Sequence, residues 1–255
     1  MAARGALVRL LFRLGSIAAP GDQLTKSNSA IDSSEARQLA RLYQARFSET
    51  EVAAKDRVWA ILCHDFFSRY VGPRDRVLDV AAGYCEFINH IECGHKVALD
   101  ANPDIARYAA PGVSVVVGDC RDMSALPPDS FDVAFVSNFF EHLETKRDLD
   151  TVLTQILGRL RPGGKLLILQ PNIRYLGSRY WDFYDHFTPL SHLSMQEALV
   201  KNGFRIELAI PRFLPYTFKS RLPAAGWMVR LYLRVRLAQW LMGKQMFIVA
   251  TRPAT

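Results

Sequence analysis

The stretch Val77-Leu78-Asp79-Val80-Ala81-Ala82-Gly83-Tyr84-Cys85-Glu86-Phe87 decides the fold. An apolar pair, an acid and a run of small residues predict a buried parallel strand that ends at Asp79 and turns sharply into a helix. Ala81, Ala82 and Gly83 leave room for a ligand against the backbone, and the first turn of the following helix presents unpaired N–H groups. The acid sets the sign of the ligand. A loop reading G-x-G-x-x-G holds a pyrophosphate on bare amides, whereas Asp79 would repel a pyrophosphate and attract a sulfonium or an amino group.

On these residues the stretch resembles motif I of the class I S-adenosylmethionine-dependent methyltransferases, an acid followed by spaced glycines. Ala81 and Cys85 stand where that family carries its first and third glycines, and Gly83 keeps the middle one. Lys96 to Asp100 reads as a short strand ending in a second acid, one βαβ unit after Asp79, where Asp100 can accept both ribose hydroxyls. Val113 to Val117 is a third strand running into Gly118-Asp119-Cys120. There the resemblance implies that Asp119 accepts the adenine amino group with Cys120 alongside; the plainer reading makes Asp119 a helix cap. With Tyr84 and Asn138, these residues form the expected set for S-adenosyl-L-methionine: Asp79, Ala81, Gly83, Tyr84, Asp100, Asp119, Cys120 and Asn138.

The fourth strand, Val133 to Val136, opens into SNFFEHL, which in the family faces the transferred methyl group. Asn138, Phe139, Glu141 and His142 therefore fall near the chemistry, although Glu141-His142 also reads as a cap with a hydrogen-bonded histidine. Ubiquinone-pathway O-methyltransferases carry a further glutamate three positions before this Glu-His pair and are thought to use these acids for a metal. Asn138 stands at that position here, so no metal is assigned. A helix through Val152 to Leu160 then stops at Leu160-Arg161-Pro162-Gly163-Gly164 before a fifth strand, Lys165 to Leu169. L-R-P-G-G before an apolar strand is frequent in the family.

Composition bounds the rest. The chain has 255 residues, 49% hydrophobic and 22% charged, with a formal net charge of +7. That suits one ordinary α/β domain, excludes a bilayer-spanning run and favours acidic partners. Cys63, Cys85, Cys93 and Cys120 have neither zinc nor disulfide spacing, which fits a reducing cytoplasm. Residues 1–34 are expected to be a flexible or targeting tail. Its opening bears Arg4, Arg9 and Arg13 and no acid before Asp22, compatible with an organelle transit peptide, a membrane-surface helix or a plain tail. Residues 35–255 are expected to be the methyltransferase domain. It begins with two lid helices over 35–70, the second starting between Ser48 and Glu51, with Tyr43, Arg46 and Lys55 toward the cofactor.

Beyond Pro171, Asn172 to Leu193 is dense in aromatics and histidines and has no regular period, which marks a functional loop. It resembles the D-H-x-T-P-L-S stretch of small-molecule methyltransferases, and Asp185, His186 and His192 are acceptor-side candidates. A helix capped at Ser194, a sixth strand from Phe204 to Ile210 and a seventh from Gln245 to Arg252 complete the order. Between the last two strands, residues 211–244 form a long basic insertion with an arginine-bearing element that favours a helix. Its arginines and tryptophans suit a phosphorylated or lipid-linked saccharide, or a peripheral membrane contact.

The expected architecture is a Rossmann-like α/β fold, a seven-stranded mixed, mostly parallel sheet with helices on both faces. The expected reaction is methyl transfer, by preference to oxygen of a small-molecule, saccharide or lipid-linked acceptor, with His142 and His186 dividing base and positioning roles. Three alternatives remain at this stage: a dehydrogenase on the same sheet, a catalytically idle S-adenosylmethionine-binding partner protein, and an RNA methyltransferase. Asp79 argues against the first. The missing D/N-P-P-Y/F loop and Pro-Cys pair make nucleic acid an unfavoured acceptor.

Overall fold

The computed structural model describes residues 49–216 and 225–254. The tail, Tyr43, Arg46, the first lid helix and part of the insertion loop lie outside them. Helix α1 (Glu49–Asp65) leads into β1 (Arg76–Val80), α2 (Glu86–His90), β2 (His95–Asp100), β3 (Val113–Val117), β4 (Phe131–Ser137), α3 (Lys146–Arg159) and β5 (Leu160–Pro171). A single turn, α4 (Ile173–Leu176), precedes α5 (His192–Lys201), β6 (Arg205–Ile210), α6 (Gly226–Arg234), α7 (Arg236–Met242) and β7 (Gln245–Thr251). The sheet order is β3-β2-β1-β4-β5-β7-β6, and β7 runs antiparallel to both of its neighbours. The seven-stranded, mostly parallel sheet is as expected.

Successive strand residues point to opposite faces, and two cores result. Leu78, Val80, Ala134, Val136 and Ile168 pack with Val152, Leu153 and Ile156 of α3 and Met195 and Leu199 of α5. Val77, Val133, Phe135, Leu167 and Phe247 pack with Trp59 and Leu62 of α1, Phe87 and Ile88 of α2 and Leu233 of α6. By the same alternation Asp79 shares the face of Val77, under α1 and α2.

Two readings change. The cap of helix α5 lies three residues before the expected one: Ser191 is the N-cap, accepting from Ser194 N at 3.2 Å, while the Ser194 hydroxyl accepts from Ser191 N at 2.9 Å. Ser194 is thus the far half of a capping box. The arginine-bearing element is helical but broken at Val235 into α6 and α7, where φ −100° and ψ 97° interrupt the helix. Among the described residues no helix is long and apolar enough to cross a membrane.

Gly243 seats the end of α7 against the start of the insertion. A Cβ there would lie 2.5 Å from Gln239 O and 2.6 Å from the carbonyl carbon of Arg212, both backbone atoms that cannot step aside. Gly243→Ala should therefore destabilise the protein by about 1–3 kcal/mol through overpacking, read as a lowered urea midpoint in equilibrium unfolding.

Candidate active site

At the carboxyl ends of β1 and β4 the turn after Val80 is left-handed at every second residue: Ala81 has φ 55°, Gly83 φ 54° and Cys85 φ 60°. These are the positions of the three spaced glycines in the motif, so the backbone keeps a glycine-type path with two residues that have a Cβ. Each such residue costs about 1–2 kcal/mol in this region, offset at Cys85 by complete burial of its side chain. Asn138, at the end of β4, is also left-handed with φ 48° and is fastened through Asn138 N to Leu169 O at 2.9 Å. Asparagine tolerates that conformation better than glutamate, a backbone reason for the missing acid at this place.

These turns enclose a cavity lined by Asp79, Ala81, Gly83, Tyr84, Asn138, Lys55 and Glu86 above an aromatic floor of Trp59, Phe87 and Phe135. Phe87 and Phe135 stack with centroids 3.7 Å apart, and Trp59 meets Phe135 edge-on at 6.1 Å. Lys55 pairs with Glu86 at 2.6 Å at the mouth. Asp79 is 3% exposed. Its burial, and then the charges of Glu86 and Asp100, push its carboxyl well above the ordinary value of 3.8, while the amide of Ile88 in the first turn of α2 pulls the other way. Asp100 holds the turn: its two carboxylate oxygens accept from Gly83 N and Asn102 N, each at 2.8 Å. With Lys55 already matched to Glu86, the carboxylates of Asp79 and Asp100 leave the region in favour of a cation.

A second cluster follows β4. Glu141 is 1% exposed; its carboxylate accepts from Gln170 Nε2, and its carbonyl accepts from Phe187 N at 2.8 Å and Thr188 N at 3.1 Å. Thr188 Oγ1 donates to Leu143 O, and Tyr180 Oη to Thr188 O, each at 2.5 Å. These bonds clamp the Asp185–Thr188 segment onto the turn after β4. The rings of His142 and His186 meet edge-on at 5.1 Å. His142 Nδ1 is 2.8 Å from the Asp185 carbonyl oxygen and 3.3 Å from its carboxylate. Since a carbonyl only accepts, Nδ1 carries the proton and the lone pair lies on Nε2. Glu141, His142 and His186 also offer ligand atoms within 4.8 Å of one another, close enough to hold a metal ion.

Comparison with known proteins identifies the framework. The family profile described as methyltransferase domain matches residues 78–168, which run from β1 through β5. Residues 78–168 are a methyltransferase domain. No curated protein matches the sequence. Among solved structures, a SAM-dependent methyltransferase from Archaeoglobus fulgidus is similar at 21% identity and TM-score 0.59, covering 84% of this chain and 99% of its own. The methyltransferase in complex with the Trm112 methyltransferase activator of Haloferax volcanii is similar at 18% identity and TM-score 0.58, covering 79% and 92%. The 4+2 cyclase SpnF shares the fold at 19% identity and TM-score 0.52, covering 78% and 81%. The fold alone therefore does not fix the reaction.

Within the methyltransferase domain, Asp79, Ala81, Gly83, Tyr84 and Asn138 line one cavity, with Asp100 bonded to its rim. Lys55 of α1 lines it too. Asp119 and Cys120 do not: Asp119 is held by Arg121 Nη2 at 2.6 Å and makes a turn to Arg121 N, and no helix follows for it to cap, while Cys120 is buried. His192 stacks on Tyr175 and meets Asn172 Nδ2 through Nδ1 at 3.0 Å, so it braces the loop. Sequence reasoning missed Asn172, which is fully buried. It donates to Pro211 O, accepts from Arg174 N and sends its own amide to Lys244 O, tying the loop after β5 to the insertion. Its only sequence signal is a polar residue immediately after a buried strand.

The raised carboxyl of Asp79 has a sign that can be tested. With the folded value above the unfolded one, its stabilising protonation is fully present below pH 3.8 and is lost as pH rises through the folded value. Asp79→Asn should therefore make the ligand-free protein more stable than wild type at neutral pH, and the difference in thermal midpoint should shrink as pH is lowered toward 4.

Proposed function

We propose that this domain transfers a methyl group from S-adenosylmethionine to a hydroxyl oxygen of a small-molecule or saccharide acceptor, with His142 as the base. The observations that carry the reading are an acid-lined cavity over aromatic rings that reaches Asn138 and, four residues farther along the turn after β4, a histidine with its proton on Nδ1. S-adenosylmethionine, when bound, supplies an electrophilic methyl on a sulfonium and leaves as a neutral thioether.

The chain's own residues supply charge, alignment and a proton acceptor. Asp79 matches the cationic end of the cofactor, aromatic faces below it favour a positive centre, and Asp100 has remaining lone pairs for ribose hydroxyls. An alkyl hydroxyl is a poor nucleophile, so its proton must leave in or near the transition state. His142 Nε2 is the available lone pair, and the Asp185 carboxylate beside Nδ1 stabilises the imidazolium that forms. His186, packed against His142, Tyr180 and Phe183, keeps the ring in place.

Asp79→Ala and Asp100→Ala should each weaken S-adenosylmethionine binding by roughly tenfold or more, since a hydrogen bond to a charged group contributes about 1.5–3 kcal/mol. Calorimetry showing wild-type affinity in both variants would end the assignment.

His142→Ala should lower kcat by about 10² to 10⁴ while leaving cofactor affinity intact, and His186→Ala should lower it less. The acceptor for that assay comes from following labelled methyl incorporation into lipid, glycan, protein and RNA fractions of a cell extract. Label confined to RNA would move the acceptor class, and binding without turnover in any fraction would favour an idle binding protein. Activity that disappears on chelation and returns with a divalent ion would assign Glu141, His142 and His186 to a metal in place of a base.

A further inference from the structure

Residues 211–244 contain seven basic residues, Arg212, Lys219, Arg221, Arg230, Arg234, Arg236 and Lys244, and no acid. The whole chain has 32 basic and 25 acidic residues, so everything outside this segment is balanced at 25 of each and the entire net charge of +7 belongs to the insertion. Apolar exposure is concentrated in the same place. Trp227 is 65% exposed, Leu237 65% and Trp240 61%, with Leu231 and Leu241 also more than half exposed.

The spacing is that of helix faces. Trp227, Leu231 and Arg234 lie at i, i+4 and i+7 on α6, and Leu237, Trp240 and Leu241 at i, i+3 and i+4 on α7. The opposite sides are anchored: Leu233 and Gln239 are buried, Tyr232 Oη donates to Phe213 O at 2.6 Å, and Arg230 Nε donates to Asp65 of α1 at 3.0 Å. The outward face is therefore left over after packing.

We propose that the outward face of α6 and α7 docks on an anionic lipid bilayer, with Trp227 and Trp240 at the headgroup level and Arg234 and Arg236 among lipid phosphates. Charge complementarity selects this occupant. A second copy of the chain would oppose arginines to arginines, and so would the tail, whose first 21 residues carry Arg4, Arg9 and Arg13 and no acid. Two short helices with aromatic and basic residues on one side suit the interface plane and are too short to cross it.

The anchored sides of these helices are tied to elements of the candidate site. Helix α6 packs on α1, whose Lys55 and Trp59 line the cavity, and the Arg212 guanidinium lies over Tyr175 at 4.8 Å and Trp240 at 5.3 Å, joining α7 to the loop after β5. Docking stands independently of the methyl-transfer reading; the consequence that the acceptor is a membrane-borne amphiphile rests on that reading.

The test is flotation of the full chain with phosphatidylcholine vesicles and with vesicles that also contain phosphatidylglycerol, alongside calorimetric binding of S-adenosylmethionine to the same samples. Flotation with the anionic vesicles only, reduced roughly tenfold or more in Arg234→Glu/Arg236→Glu and in Trp227→Ala/Trp240→Ala, supports docking. A blue shift of wild-type tryptophan emission on adding anionic vesicles serves the same purpose should a variant fail to fold. Wild type that binds cofactor but neither floats nor shifts overturns the proposal while leaving the methyltransferase reading intact. So does flotation unchanged in both double variants, a dimer in light scattering that the tryptophan variant dissolves, or capture by single-stranded RNA without vesicle binding. Flotation together with absent cofactor binding would sink the other reading and leave this one standing.

Discussion

A carboxylate buried among aromatic rings is the constraint around which the structure is arranged. Asp79 sits near the carboxyl end of the central strand, where it lines the cavity. Strand alternation then forces it onto the face occupied by Val77, Phe135 and the helices α1 and α2. Removing a carboxylate from water is costly unless hydrogen bonds or an opposite charge compensate, and in the free protein the Ile88 amide is the compensating influence against burial, Glu86 and Asp100. The burial that makes this carboxylate costly for folding is the same feature on which the proposed binding of a cationic ligand rests.

The loop that follows shows how tertiary packing overrides residue preference. Glycine is the residue that adopts a left-handed backbone without penalty, yet two of the three left-handed positions here are Ala81 and Cys85. Their path is fixed from outside: Ala82 N bonds to Leu99 O, Cys85 N to Ala82 O, and Gly83 N to Asp100. Sheet registry and a carboxylate on the neighbouring strand hold the turn, and the local strain is offset by those bonds and by burial of Cys85.

Around the turn after β4 the organising device is a clamp between chain segments distant in sequence. Glu141 accepts from Phe187 and Thr188, and Asn172 collects Lys244, Pro211 and His192. The loop after β5 is therefore fastened at one end to the turn after β4 and at the other to the insertion. Irregular backbone with this many fixed partners can hold two imidazoles and a carboxylate in defined relation, which a free loop could not.

The sequence by itself determined the strands, their order in the motif series and the acids at their ends, because alternation and helical periods are local properties of the chain. The acid at Asp79, which argues against a pyrophosphate there, was equally legible, because residue type is read directly from the chain. Only the tertiary structure decided that Asp119 turns to Arg121, that Ser191 and not Ser194 caps α5, and that Asn172 is a junction. It also decided that His142 carries its proton on Nδ1. That tautomer follows from a carbonyl 43 residues farther along the chain, brought alongside by the clamp, and contacts of that kind exist only once the sheet has closed its parallel strands into register.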